Sequence, residues 1–116
     1  MKYALLDTNF ILSCIRKKID FFEEIELMGF KVIIPKEVIR EIKKFKDKKS
    51  EASLALKIIE NNSHIEIELG RGYVDKRIID YAKENPSLIV ATLDKEIKDK
   101  VKNQKLVIKG NILEVV

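Results

Sequence analysis

Apolar positions along the chain alternate between two spacings, one typical of buried strands and the other of helices. Short apolar runs predict five strands, at residues 3–6, 31–35, 64–69, 87–92 and 105–109. Between them, apolar residues recur every three to four positions and predict helices, at residues 9–17, 19–28, 51–62, 74–84 and 94–103, with a further helix that begins at Pro35. This alternation predicts an α/β fold with right-handed crossovers and a mostly parallel sheet covered by helices on both faces.

Residues that typically begin or end helices mark several predicted element ends. Gly29 is a predicted stop for the second helix, and Ser50 is a predicted N-cap for the helix at 51–62. The closing segment 110–116 is compatible with a hairpin or with a loose tail, and the sequence leaves both interpretations open.

Length and composition indicate one soluble domain spanning residues 1–116. The chain is 46% hydrophobic and 36% charged, which is typical of a globular protein. With no apolar run near 18 residues and no signal-peptide pattern, we expect a cytoplasmic protein without membrane association. A net charge of +4 favours an anionic partner such as nucleic acid, although a lysine-rich solubilising surface gives the same value.

The single cysteine and single histidine limit the chemistry that the chain supports. Cys14 has no partner for an internal disulfide and falls on the apolar face of its helix, so it is interpreted as a core residue. His64 lies at the start of a strand, and we expect it to be structural or exposed. Without a soft-ligand cluster, a bound metal has to be held by oxygen atoms.

Four acidic residues fall at places where an α/β sheet binds ligands. Such ligands lie beyond the carboxyl ends of strands, where the strand order reverses. Asp7 and Asp94 each follow a predicted strand closely. Asp75 opens a predicted helix, and its spacing to the following apolar residues places it at the top of the buried face. Glu41 stands in mid-helix beside an apolar stripe, where an unpaired acid is costly.

Each acid also has a purely structural explanation. The two that follow strands could cap helices, the one that opens a helix could complement its dipole, and Glu41 could pair with Lys44 or Lys48. All four at equivalent places in one sheet favour a site instead. Converging carboxylates repel one another, so either one of them is protonated or a cation binds. An all-oxygen set selects Mg²⁺ or Mn²⁺, in one or two copies.

Four segments carry a resemblance to a known family: LLDTNFIL, IIPKEVIREI, GYVDKRIIDYA and IVATLDKEI. In this order, over nearly the whole chain, they resemble the PIN-domain nucleases, particularly the small archaeal members related to ribosomal-RNA-processing factors. The resemblance implies a three-layer α/β/α sandwich around a mostly parallel five-stranded sheet. It also implies an acidic metal site that hydrolyses phosphodiester bonds of single-stranded RNA.

The resemblance assigns roles by position. It implies that the metal-binding and catalytic acids are Asp7, Glu41, Asp75 and Asp94. It places Thr8, Asn9 and Thr92 in a supporting shell, where hydrogen bonds from polar side chains orient the ligands of a metal.

Several polar and aromatic residues are candidate RNA contacts. The candidates for binding phosphates are lysines near these segments: Lys36, Lys43, Lys44, Lys95 and Lys98. Tyr73 is a candidate for stacking on an unpaired base, and a packing role is equally compatible with its position. With tryptophan absent and aromatic residues at 7%, we do not expect sequence-specific reading of RNA.

Three functions remain compatible with the sequence. The first is a Mg²⁺- or Mn²⁺-dependent endoribonuclease, acting in RNA maturation or as the toxin of a toxin–antitoxin pair. The second is a non-catalytic RNA-binding factor with a ribosome-assembly partner. The third is a receiver-like signalling module, which is disfavoured because no predicted middle strand ends in an aspartate. Because related domains commonly pair, we expect a homodimer.

Overall fold

The computed structural model describes residues 2–116, and strands and helices alternate in it as the sequence predicts. The strands are β1 (Lys2–Leu6), β2 (Phe30–Pro35), β3 (Ile65–Ile67), β4 (Ile89–Ala91), β5 (Lys105–Lys109) and β6 (Ile112–Val115). The helices are α1 (Thr8–Arg16), α2 (Phe21–Leu27), α3 (Lys36–Lys44), α4 (Ser50–Glu60), α5 (Val74–Glu84) and α6 (Lys95–Lys100).

The strands form one sheet in the order β3-β2-β1-β4-β5-β6, parallel except for the last pair. From β1 the chain first builds outward through β2 and β3, and then returns to add β4 on the other side of β1. The strand order therefore reverses between β1 and β4. In sheets of this kind, that reversal opens a crevice at the carboxyl ends of the two strands.

Alternating side chains of the central strands pack into two hydrophobic cores, one on each face of the sheet. On β1, Ala4 and Leu6 pack with the core that includes residues of α1 to α4, whereas Leu5 packs with the core that includes residues of α5 and α6. Strands buried on both faces are expected in a parallel sheet. The structure thus confirms a three-layer α/β/α arrangement.

The sheet has six strands instead of the five predicted. The closing segment forms β6, which pairs antiparallel with β5 around Gly110, a residue at a φ of 63°. Leu113 of β6 is buried, and its backbone N–H donates to Glu24 Oε1 at 3.2 Å. The hairpin interpretation of the segment is therefore correct.

Several predicted element ends differ from those of the structure. Ser50 is the first residue of α4 instead of its N-cap, and α4 has no side-chain cap. The last helix ends at Lys100 because Val101 turns into extended backbone. Just beyond it, the buried amide of Asn103 donates to three carbonyl oxygens, those of Ala82, Asn85 and Leu88.

The lone thiol and imidazole have structural environments. Cys14 is fully buried, and burial raises the pKa of its thiol to about 12, so the prediction of a core residue is confirmed. His64 Nε2 lies 2.8 Å from Glu66 Oε2, and its Nδ1 lies 2.8 Å from the carbonyl oxygen of Asn62. Among residues 2–116, no helix has the length and apolar content needed to cross a membrane.

Candidate active site

Asp7 lies at the crevice between β1 and β4, in the turn that joins β1 to α1. Its backbone N–H donates to the carbonyl oxygen of Ala91 at 2.9 Å, which extends the β1–β4 pairing to the edge of the sheet. The residue is only 5% exposed. Oδ1 accepts the N–H of Thr8 at 2.8 Å, and Oδ2 accepts the hydroxyl of Thr92 at 2.9 Å. Burial raises the pKa of Asp7, and these two hydrogen bonds partly oppose that effect.

Thr92 connects two of the predicted acids. Its side chain is fully buried at the end of β4, and its hydroxyl both donates to Asp7 Oδ2 and accepts the backbone N–H of Asp94 at 3.0 Å. One hydroxyl therefore fixes the orientation of Asp7 and the turn that carries Asp94. This is the geometry expected of a supporting residue behind a set of metal ligands.

Asp94 caps α6, as its structural explanation requires. Its Oδ1 accepts the backbone N–H groups of Glu96 at 2.8 Å and Ile97 at 3.4 Å. The cap uses one carboxylate oxygen and fixes the orientation of the side chain. Asp94 nevertheless acts on its neighbours, because its charge raises the pKa of both Asp7 and Asp75.

Asp75, in the first turn of α5, is the acid most affected by the others. Its pKa is raised to about 6, first by partial burial of the carboxyl group and then by the charges of Asp7 and Asp94. A hydrogen bond with the Asp94 side chain and the charge of Glu41 act in the same direction. The residue as a whole is exposed, in contrast to the predicted position at the top of the buried face. Asp75 therefore meets both the other acids and the solvent.

Glu41 contributes from the opposite layer, on α3. It is half-buried, and its charge raises the pKa of Asp7 and of Asp75. Within residues 2–116 it forms no ion pair with Lys44 or Lys48, so the structural explanation offered for it is not realised. The four predicted acids thus interact electrostatically around one crevice.

Glu37 was not predicted from the sequence, and it supports the site from one helical turn before Glu41. Its carboxylate accepts the backbone N–H of Leu69 at 3.0 and 3.1 Å and that of Gly70 at 3.0 Å. These hydrogen bonds lower its pKa, against the opposing effect of its burial. Glu37 thereby ties the helix of Glu41 to the loop that leads into Asp75. The sequence signal that could have identified Glu37 is its spacing, because it lies four residues before Glu41 and therefore on the same face of the helix.

The other predicted residues occupy varied positions. Thr8 is buried, and its hydroxyl oxygen has no hydrogen-bond partner among the described residues. Asn9 is exposed, and its side chain makes no hydrogen bond within residues 2–116. Tyr73 is exposed beside Asp75. The predicted lysines are exposed or partly exposed: Lys36, Lys43, Lys44, Lys95 and Lys98.

The donor set has the chemistry of a site for Mg²⁺ or Mn²⁺, since it offers carboxylate oxygens from two helices and from the turns that follow two strands. The buried, unpartnered hydroxyl of Thr8 next to Asp7 adds a further oxygen. In the part of the chain that the structure describes, no three His, Cys, Asp or Glu side chains are yet spaced to hold one ion together. A shared ion therefore requires these side chains to turn toward one another.

The raised pKa of Asp75 predicts a pH-dependent stability in the metal-free protein. Because this pKa is higher in the folded state than its ordinary value of 3.8, the folded state binds more protons between pH 3.8 and about 6. Its contribution to stability is therefore present at low pH and is lost as the pH rises through about 6. We expect Asp75→Asn to be more stable than the parent protein at pH 7, by a margin that shrinks toward pH 4.

Urea unfolding of both proteins in EDTA at several pH values measures this margin. Taking the difference between the two proteins cancels the titration of shared groups that do not interact with Asp75. A margin that stays constant from pH 7 to pH 4 would contradict a pKa of Asp75 that is raised by burial and by the neighbouring acids.

Comparisons with known proteins identify the family and the fold to which this chain is similar. The family described as "PIN like domain" matches residues 4–109. Ribonuclease VapC4 of Methanocaldococcus jannaschii is 36% identical over 103 residues, which cover 82% of this chain and 79% of that protein. The solved structure of the PIN domain endonuclease Utp24 has a TM-score of 0.82 and 25% sequence identity, over 97% of this chain and 90% of that chain.

Proposed function

This chain belongs to the family of PIN-like domains, and we propose that it is a Mg²⁺- or Mn²⁺-dependent endoribonuclease that hydrolyses single-stranded RNA. One observation carries the proposal. At the end of the sheet where the strand order reverses, the buried Thr92 hydroxyl donates to Asp7 Oδ2 and accepts the backbone N–H of Asp94, and the charges of Glu41 and Asp94 act on both Asp7 and Asp75. The relatives named above are a ribonuclease and an endonuclease, which supports this chemistry.

The residues of the site have two proposed roles, to bind the metal ion and to orient the residues that bind it. The four acids are the proposed ligands of the ion. Mg²⁺ or Mn²⁺ bound there would activate a water molecule for attack on the phosphate and would neutralise the charge on the leaving oxygen. Thr92 holds Asp7 and the turn of Asp94 in place, and Glu37 holds the loop before Asp75. His64 contacts Asn62 and Glu66, and the proposal assigns it no role in the reaction.

Cleavage of an end-labelled, unstructured RNA tests the proposal. The parent protein is expected to cut internally with Mg²⁺ or Mn²⁺ and to stop cutting when EDTA is added. Undiminished cleavage in EDTA would remove the metal from the mechanism. Binding of RNA without cleavage under any divalent metal would instead identify a non-catalytic RNA-binding factor of the same fold.

The proposed biological role is RNA processing or toxin activity. The relatives are named as a ribonuclease and as an endonuclease, and both names are compatible with either role. Neighbouring genes separate these roles, because a small antitoxin gene directly beside this one is expected only for a toxin.

We also propose that the protein forms a homodimer. Exposed apolar side chains outside the acidic crevice, among them Leu27 and Leu54, offer surface for such a contact. Sedimentation velocity at micromolar concentration measures the oligomeric state. A single species of 13.5 kDa, the mass of one chain, would contradict the proposal.

A further inference from the structure

A cleft of about 440 Å³ opens beside Asp75, and its lining residues come from Tyr73 and helices α5 and α6. We propose that this cleft is the path of the RNA strand next to the acids, with Tyr73 stacked on an unpaired base and Lys76 and Lys83 against its phosphates. This inference rests on the proposed ribonuclease function and specifies where its substrate lies.

The exposure of Tyr73 supports the stacking role. The sequence left packing and stacking equally compatible, and the structure decides against packing, because the residue is 85% exposed. It stands at the N-cap of α5, two residues before Asp75. An aromatic ring that gains no burial in the folded chain remains available to the face of a base, and every base presents such a face.

The loop before Tyr73 is held in a defined shape. Gly70 and Gly72 have φ values of 106° and 113°, in the left-handed region that favours glycine. Glu37 anchors the start of the same turn through the backbone N–H groups of Leu69 and Gly70. Tyr73 therefore follows a turn whose backbone is held in a defined shape. This reduces the conformational entropy that the chain loses when a base stacks on the ring.

The charges of the cleft leave two lysines available for phosphates. Asp80 and Glu96 also line it, and each is paired with a cation on its own helix at 3.0 and 2.7 Å, respectively. Lys76 and Lys83 form no ion pair within residues 2–116 and are exposed. The cleft therefore combines an acid of the site, a free aromatic face and two unpaired cations.

Substitution of Tyr73 tests the stacking interaction directly. In EDTA, which is expected to prevent cleavage, we expect Tyr73→Ala to weaken binding of a short single-stranded RNA by about fivefold or more. Tyr73→Phe retains the ring and should bind like the parent. Ile112→Ala is the matched control, since it removes apolar surface from another exposed residue, which is 60% exposed and lies on the edge strand β6 away from the cleft.

Two lysine pairs test the role of the cleft in binding phosphates. The double variant Lys76→Ala, Lys83→Ala is expected to reduce the slope of log Kd against log salt by about 0.7 for each phosphate that is no longer neutralised by a lysine. The control is Lys17→Ala, Lys57→Ala, which removes the same charge from exposed positions on the other face of the sheet. Equal changes in slope for the two pairs would show a diffuse electrostatic effect and overturn the proposed path.

Photocrosslinking places the strand without altering the protein. RNA that carries 5-iodouridine should crosslink to Tyr73, and an abasic nucleotide at the crosslinked position should abolish the difference in affinity between the parent and Tyr73→Ala.

If the parent, Tyr73→Ala and Tyr73→Phe all bind RNA with the same affinity, the cleft is not the path and the ribonuclease function stands. If the parent binds no RNA, both proposals fail. If Tyr73→Ala only dissociates a dimer, the ring serves an interface between copies instead.

Discussion

Asp7→Asn is expected to abolish cleavage of single-stranded RNA while leaving the fold intact. The substitution removes a charge at the centre of the acid set, where Asp7 acts on Asp75 and is itself affected by Glu41 and Asp94. We expect the rate to fall by more than the roughly 10- to 100-fold that is typical of losing an outer-shell group.

The fold of this variant should survive because both hydrogen bonds of Asp7 can be adapted. The asparagine oxygen can still accept the N–H of Thr8, and the Thr92 hydroxyl can rotate to accept from the new amide. Burial already disfavours the charged form of Asp7, as its raised pKa shows. The melting temperature of the metal-free variant is therefore expected to equal or exceed that of the parent.

Asp99→Asn is the matched control for this measurement. Asp99 is an exposed acid on α6 and has no part in the proposed site. Its substitution removes the same charge and should leave the cleavage rate close to that of the parent. Equal losses of rate in Asp7→Asn and Asp99→Asn would mean that the position of the acid in the crevice is irrelevant.

The sequence was sufficient to predict the fold and the positions of two acids. Strand and helix spacings are local, and they fixed the order of the elements. General rules of chain connection narrow the possible sheet orders, and the structure shows the one in which β1 and β4 are neighbours. Asp7 and Asp94 each follow a predicted strand closely, so the sequence placed both acids at the same edge of a parallel sheet, and the pairing of β1 with β4 brings them together.

Other features depend on interactions between distant segments and were beyond reach of a local pattern. The hydrogen bonds from Leu69 and Gly70 to Glu37 join residues more than 30 positions apart. The double role of the Thr92 hydroxyl depends on the register of β1 against β4. The sequence around Tyr73 is compatible both with packing in the core and with stacking on a base. Only the exposure of the residue in the structure distinguishes these two roles.

Addition of Mg²⁺ is expected to raise the melting temperature of the parent protein more than that of Asp94→Asn. An ion that binds only the folded state stabilises it by about 2.7 kcal/mol at a concentration 100 times its Kd, which is several degrees for a domain of this size. Removing one acid from the set weakens binding and reduces this shift. In the absence of metal, Asp94→Asn should be as stable as the parent or more stable, since it relieves repulsion with Asp7 and Asp75.

The choice of asparagine separates a metal ligand from a helix cap. Asp94 Oδ1 accepts the N–H groups of Glu96 and Ile97, and an asparagine oxygen caps a helix about as well. The cap is therefore retained and only the charge is lost. Melting curves at pH 7.5 and constant ionic strength, with Asp99→Asn as the control on the same helix, measure the metal-induced shift in each protein. If Asp94→Asn and the parent show the same shift, Asp94 serves only as a cap and the site has three acids; a smaller shift in Asp94→Asn alone places its carboxylate among the ligands.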